Sequence, residues 1–196
     1  MRRAVISLVL FLAFAIIVTA SRHSTTSSAS STTTPASTLP ASTSTTIASG
    51  STCSGTDFRA TFGYSEGAAG TVYSSVTLTK ITAGSCTLDG WPLLTLQDAH
   101  GAVIASRTVD LPTANSPVTF PDAAANAAPT SLTVSTGTKT TFDLAYSDVP
   151  TGSETTCPSV ASVAIAVGTG QGVAVATPSY PLQPCGGGLV WVSPFF

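Results

Sequence analysis

The chain has 196 residues, 43% hydrophobic and only 8% charged, with a formal net charge of −2. Seven Lys or Arg side chains against nine Asp or Glu leave no basic patch for nucleic acid or for an anionic membrane surface.

At the N-terminus Met1, Arg2 and Arg3 lead into the apolar run Ala4–Ala20. A basic start, one apolar stretch and small side chains at its end are the parts of a secretory signal. Val18-Thr19-Ala20 puts cleavage after Ala20, so residues 1–20 read as a signal peptide. The run is long for a cleaved signal and short for a full span, so an uncut signal-anchor is the alternative. The first thiol is Cys53, far from the cut, which leaves a lipid-modified N-terminus without its sulfur. Without the leader, five basic side chains face nine acids, a net charge of −4.

Residues 21–52 follow, and 21 of these 32 are Ser or Thr, with Pro35 and Pro40 among the rest. With almost nothing to bury, such a segment cannot offset the entropy of ordering, and it reads as a disordered linker. Its r.m.s. span would be roughly 30 Å. The composition suits an O-glycosylated stalk and an unmodified spacer equally. Neither Asn115-Ser116-Pro117 nor Asn126-Ala127-Ala128 is an N-glycosylation acceptor.

Residues 53–196 are the length of one domain. They are rich in Val, Thr, Ser, Ala and Gly, which favours strands over helices. The period is two. In Val72–Thr82, Val72, Val76 and Leu78 share one face; in Lys139–Ser147, Phe142, Leu144 and Tyr146 do. Val163, Ile165 and Val167 alternate with small residues, and Val173 and Val175 resume the pattern after a glycine-rich hairpin loop at 168–172. Leu189 and Trp191 open the last strand, with Trp191 expected in the core. Further strands are expected at Asp57–Tyr64, Leu93–Asp98, Ala102–Thr108, Val118–Phe120 and Ser131–Ser135, and a single helical turn or a loop at Pro121–Pro129. Sheets with one dry face must stack. The fold class is therefore all-β: an antiparallel immunoglobulin-like β-sandwich stapled by two disulfides.

Four thiols in an exported domain point to two disulfides. Three pairings are open; Cys53–Cys86 with Cys157–Cys185 is favoured, because it ties neighbouring segments. Zinc is disfavoured, since no Cys-x2–4-Cys pair exists and no histidine lies near a cysteine.

The run Cys86-Thr87-Leu88-Asp89-Gly90-Trp91-Pro92, followed by the strand Leu93–Leu96, resembles the domain of unknown function family 4232. Cys53 at the start of the domain, Thr136-Gly137 before the Phe142 strand, and Cys157 and Cys185 around a hairpin fit the same resemblance. It implies a β-sandwich exported by actinobacteria, with envelope or extracellular placement, no assigned activity and no catalytic residues to carry over. Many relatives are lipid-anchored; this chain lacks the cysteine for it.

Candidates for chemistry are sparse. His100 sits in the turn Asp98-Ala99-His100-Gly101, and reads as a solvated turn residue. No Gly-x-Ser-x-Gly, Ser-x-x-Lys or calcium-type Asp-x-Asp occurs. Gly186-Gly187-Gly188 precedes a strand rather than a helix, so it reads as slack beside a disulfide, not as a phosphate loop. Trp91 is the possible ligand-binding residue, as an aromatic platform, against the plainer reading that it plugs the end of the sandwich. Phe195 and Phe196 are expected to be exposed. The expectation is a monomeric, non-catalytic envelope or secreted module without metal or cofactor, binding an extracellular protein or a cell-wall glycan. The alternatives are an extracellular hydrolase assembled from scattered Asp, Ser and His, and a secreted inhibitor presenting the Cys86–Pro92 loop.

Overall fold

The computed structural model describes residues 51–168 and 172–196. The segment expected as a signal peptide, 1–20, and all but the last two residues of the expected linker, 21–52, lie outside them. The last two linker residues, Ser51 and Thr52, form the strand β1 (Ser51–Thr52). The other strands are β2 (Phe58–Ala68), β3 (Thr71–Lys80), β4 (Ser85–Leu88), β5 (Leu93–Gln97), β6 (Arg107–Asp110), β7 (Leu132–Ser135), β8 (Lys139–Ser147), β9 (Ser162–Ala166), β10 (Ala174–Ala176) and β11 (Leu189–Val192). The helical content is two short 3₁₀ turns and one turn, α1 (Cys185–Gly188), in which Gly186 and Gly187 have left-handed backbones.

These strands form an all-β sandwich. One face of a five-stranded sheet, in the order β2-β3-β8-β11-β6, shares a single core with two three-stranded sheets, β10-β9-β5 and β1-β4-β7. Alternation explains the pairing. Val76 and Leu78 of β3 lie beside Phe142 and Thr140 of β8, and Val190 and Val192 of β11 beside Tyr146 and Leu144. Burying a side chain such as Leu78 or Phe142 stabilises the fold by about 1.5–3 kcal/mol. Ser74 and Lys80 share that inner face and are also buried. Lys80 meets its charge requirement at the rim: Nζ lies 3.6 Å from Asp57 Oδ1 and donates to Thr82 Oγ1. The Thr82 hydroxyl, the Ser54 N–H and then Lys80 hold the Asp57 carboxyl below its ordinary range.

The two disulfides are Cys53–Cys86, which joins the start of the domain to β4, and Cys157–Cys185, which joins the segment before β9 to α1.

Most neighbours are antiparallel, but β1 with β4 and β6 with β11 run parallel. Both pairs join strands far apart in sequence, where no tight turn dictates direction. The expected strand at Ala102–Thr108 shrinks to one bridge, Val103 with Gln97, and to the first residues of β6. Val118–Phe120 is no strand, yet Val118 and Phe120 are buried, because residues 111–126 lie over the outer face of the five-stranded sheet. Trp191 belongs there: it is partly buried against this second cluster rather than in the main core. Phe195 and Phe196 are not exposed. After β11 the chain turns back along β8, Phe196 exchanges backbone hydrogen bonds with Thr141, and Phe195 packs edge-on against Phe142.

One irregularity sets up both polar sites described next. Phe62 pairs with Val76, but Ser65 pairs with Ser74, so Gly63 and Tyr64 together oppose Ser75. This bulge reverses the facing of β2. Gly63 fits because a Cβ there would fall 2.3 Å from Ser75 Oγ.

Candidate functional site

Beyond the bulge, the distal half of the β2–β3 hairpin overhangs the end of β8 and the loop before α1. Between them is a cleft of about 320 Å³, at the small end for a ligand site. Ser65 and Glu66 come from β2, Val72 from β3, Tyr146 from β8, Asp148 from the turn after it, and Tyr180 from the loop. Tyr146 is buried beneath and donates from its hydroxyl to the Pro181 carbonyl at 3.3 Å. Burial first, then the neighbouring Tyr180, push its hydroxyl up to about 12, so it stays protonated across the physiological range. The Tyr180 ring stands edge-on to Phe62 with centroids 5.8 Å apart. Its hydroxyl oxygen is out of reach of solvent and makes no hydrogen bond among the described residues, although the hydroxyls of Ser74 and Ser65 lie near enough to influence it.

A second polar feature lies on the opposite face of the same sheet. Asp143 sits at a position that period-two reading gives to water, yet it is only 1% exposed. Its backbone N–H donates to Ser193 Oγ, and its carboxylate accepts from the Tyr64 hydroxyl at 3.2 Å. Burial pushes the Asp143 carboxyl up to about 6; the Tyr64 bond opposes this, while the charges of Asp122 and Glu66 add to it. A buried carboxyl with a raised pKa is a common mark of function, and also of structure under strain from its cover. Here the covering segment closes it off.

The sequence-derived candidates fall elsewhere. Trp91 is partly buried against the main core, and its indole N–H donates to the Leu111 carbonyl at 2.6 Å. It does not line the cleft. Around it, Cys86 is cross-linked, Leu88 is buried, Gly90 has a φ of 73°, and its carbonyl accepts from the Phe195 N–H. The Cys86–Pro92 run therefore ties β4 and β5 to the start of the outer cover and to the C-terminal return along β8. His100 is exposed, and Asp98 Oδ1 accepts from the backbone N–H groups of His100 and Ala102, so the two are not set as base and orienting acid.

The glycine run does bind an anion, but one of the chain's own. Glu154 accepts from the Gly186 and Gly187 N–H groups at 2.8 Å each. Those two bonds, then the one from Thr151, hold the Glu154 carboxyl below its ordinary range. Its contribution is present above the ordinary glutamate value and is lost as pH falls. Glu154→Ala is expected to accelerate amide exchange at Gly186 and Gly187, with no change at Thr87 beside the other disulfide; equal rates at the two glycines would contradict this role.

Among the described residues no three His, Cys, Asp or Glu side chains gather as metal ligands, and no helix is long and apolar enough to cross a membrane. The features together define a disulfide-stapled all-β domain with a formed cleft and a covered outer face. The family described as domain of unknown function (DUF4232) matches residues 53–195, and the chain belongs to it. No curated protein and no solved structure matches the chain.

Sequence reasoning did not find the cleft. Its residues come from three separate segments and share no motif; the one available signal was the departure from alternation at Gly63-Tyr64, where Phe62 and Ser65 end up on the same face.

Proposed function

We propose that the chain is an extracytoplasmic, non-catalytic binding module that offers the cleft under the β2–β3 hairpin to a ligand of the envelope or the surrounding medium. The basic-then-apolar leader and the Ser/Thr-rich segment support export and display on a spacer. Two disulfides support an oxidising compartment. The observation that carries the reading is the cleft itself, a preformed hollow that combines apolar surface from Val72 and Pro181 with polar residues at its rim. The scattered acids and His100 do not converge there as a nucleophile and its base, which favours binding over hydrolysis.

The test is an isotope-labelled NMR titration of the purified chain with cell-wall glycan fragments and with envelope-derived peptides. Saturable shifts at the amides of Gly67, Val72 and Gln183, without turnover of the added material, are expected. Shifts centred on Trp91 instead, or catalysed breakdown of a fragment, would overturn the proposal.

A further inference from the structure

Residues 111–126 cover the outer face of the five-stranded sheet without being knitted to it. From 112 to 129, every hydrogen bond among the described residues stays within the segment. Thr113 bonds with Ser116, Phe120 with Asn126, and Asp122 with Ala124 and Asn126. The polar anchor is at the start: the Leu111 N–H donates to the Val192 carbonyl, and the Leu111 carbonyl accepts from the Trp91 indole. Beyond that point only apolar contacts hold the cover down. Val118, Phe120 and Ala125 pack with Ala145 and Trp191, and Phe120 meets Tyr73 edge-on at 6.5 Å. A segment with no ladder to the sheet opens at lower cost than the strands beneath it.

Asp143 is buried under this cover. From β2, Tyr64 donates to its carboxylate and Glu66 acts on it as a like charge; from the cover, Asp122 acts in the same way. Ser75 of β3 and Ser193 after β11 are neighbours without charge, and the phenol of Tyr73 stands one row further along β3. Asp110 of β6 is in register with Val192, on the inner side. No cation is among the groups that act on Asp143. Lys139 lies about 13 Å back along β8, and Arg59 shares the row of Lys139 through Thr79. With the cover down, an ionised Asp143 is a buried charge with one neutral donor and two like charges for company. That arrangement is costly, and lifting the cover returns the carboxylate to water. A protonated carboxyl makes no such demand.

We infer that residues 111–126 are a strap that lies on the outer face while the Asp143 carboxyl is protonated and lifts when it ionises, pivoting at Leu111 and baring Tyr73 and Trp191. This is independent of whether the cleft binds a ligand. The closed form holds the proton more tightly, titrating near 6 against an ordinary 3.8. Opening therefore grows as pH rises through this window and levels off above about 6.

The experiment follows hydrogen exchange of the Trp191 indole N–H in the purified chain by NMR, corrected for the intrinsic pH dependence of exchange. The amides of Val76 and Leu78, in the β3–β8 ladder, serve as the reference. The opening constant at Trp191 is expected to rise about tenfold between pH 5 and 7.5, while Val76 and Leu78 change far less. Asp143→Asn should abolish the rise. Tyr64→Phe removes the donor that favours the charged form, so the transition should move to higher pH. Asp122→Asn with Glu66→Gln removes the two like charges and should move it to lower pH. Asparagine at 122 can still accept from the Ala124 N–H, so the fold of the strap is kept. A flat profile at Trp191, a rise that persists in Asp143→Asn, or an equal rise at Val76 and Leu78 would overturn the inference. Shifts of the two sets of variants in the same direction would overturn it as well.

Discussion

Replacing Cys53 and Cys86 together by alanine is expected to lower the stability of the domain by about 3.5–4 kcal/mol. The bridge spans a sequence separation of 33 residues, and chain-entropy reasoning assigns the loss to the freedom the unfolded chain regains. Two features push toward the upper end. Cys53 is 0% and Cys86 3% exposed, both inside the main core, so trimming the sulfurs also removes buried contacts. The bridge also fastens β1, a two-residue parallel strand whose only continuation is the Cys53 N–H bond to the Thr87 carbonyl. Since domains of this kind are stable by only about 5–15 kcal/mol, a melting point lower by roughly 10 °C should follow. Urea titration of the wild type and the double variant decides the matter; a loss below about 1 kcal/mol would show that the packing of β4 holds without its cross-link. The Cys157–Cys185 bridge, across a separation of 28, should cost a similar or smaller amount, because Cys157 sits outside the main core.

Asp143→Asn is expected to make the domain more stable at pH 7.5, by about 1–3 kcal/mol, since each pK unit of displacement corresponds to about 1.4 kcal/mol. The carboxyl titrates near 6 when folded and at 3.8 by its ordinary value. The folded state thus binds the proton more tightly than the unfolded one. Asp143 contributes its full stability below about pH 3.8, loses it as pH rises through about 6, and costs a constant amount above that. Asp57 and Glu154, both held below their ordinary values, act in the opposite sense and only at lower pH. Asp110, also raised by burial, acts in the same sense as Asp143, so the informative quantity is the difference between wild type and variant. Asparagine keeps the size of the side chain and can still accept from the Tyr64 hydroxyl. Denaturation between pH 4 and 7.5 should show the wild type weakening and the variant weakening much less. Parallel curves would mean that Asp143 has water or another partner when folded.

What could be read in advance follows from where one physical rule acts alone. β8 was legible over Lys139–Ser147 because no glycine or proline interrupts its alternation and its inner face is wholly apolar or aromatic from Phe142 on. β4 was not, since Ser85-Cys86-Thr87-Leu88 is too short to show a period and looks like part of the loop that carries Trp91. The outer cover escaped for a different reason. Residues 111–126 have no repeating pattern, yet they place Leu111, Val118 and Phe120 over Ala145 and Trp191, and so turn a nominally wet face into a dry one. Asp143 was therefore visible as a carboxylate but not as a buried one, and Trp191 as apolar but not as belonging to a second cluster. Phe195 and Phe196 gave no hint of their destination, because a return along β8 is a tertiary event. The cleft was the least legible part, as its rim depends on the registry slip at Gly63-Tyr64 and on a loop contributed more than a hundred residues later.

That slip has a consequence for how the gene can vary. A chain one codon shorter at Gly63 or Tyr64 would rotate the outer half of the hairpin by half a pleat, so that Ser65 and Glu66 exchange sides of the sheet. The hydroxyl now resting on Asp143 and the rim of the hollow would be lost in the same stroke. A length change at the tip, Ala69-Gly70, lies beyond the point where phase is set and would leave both intact.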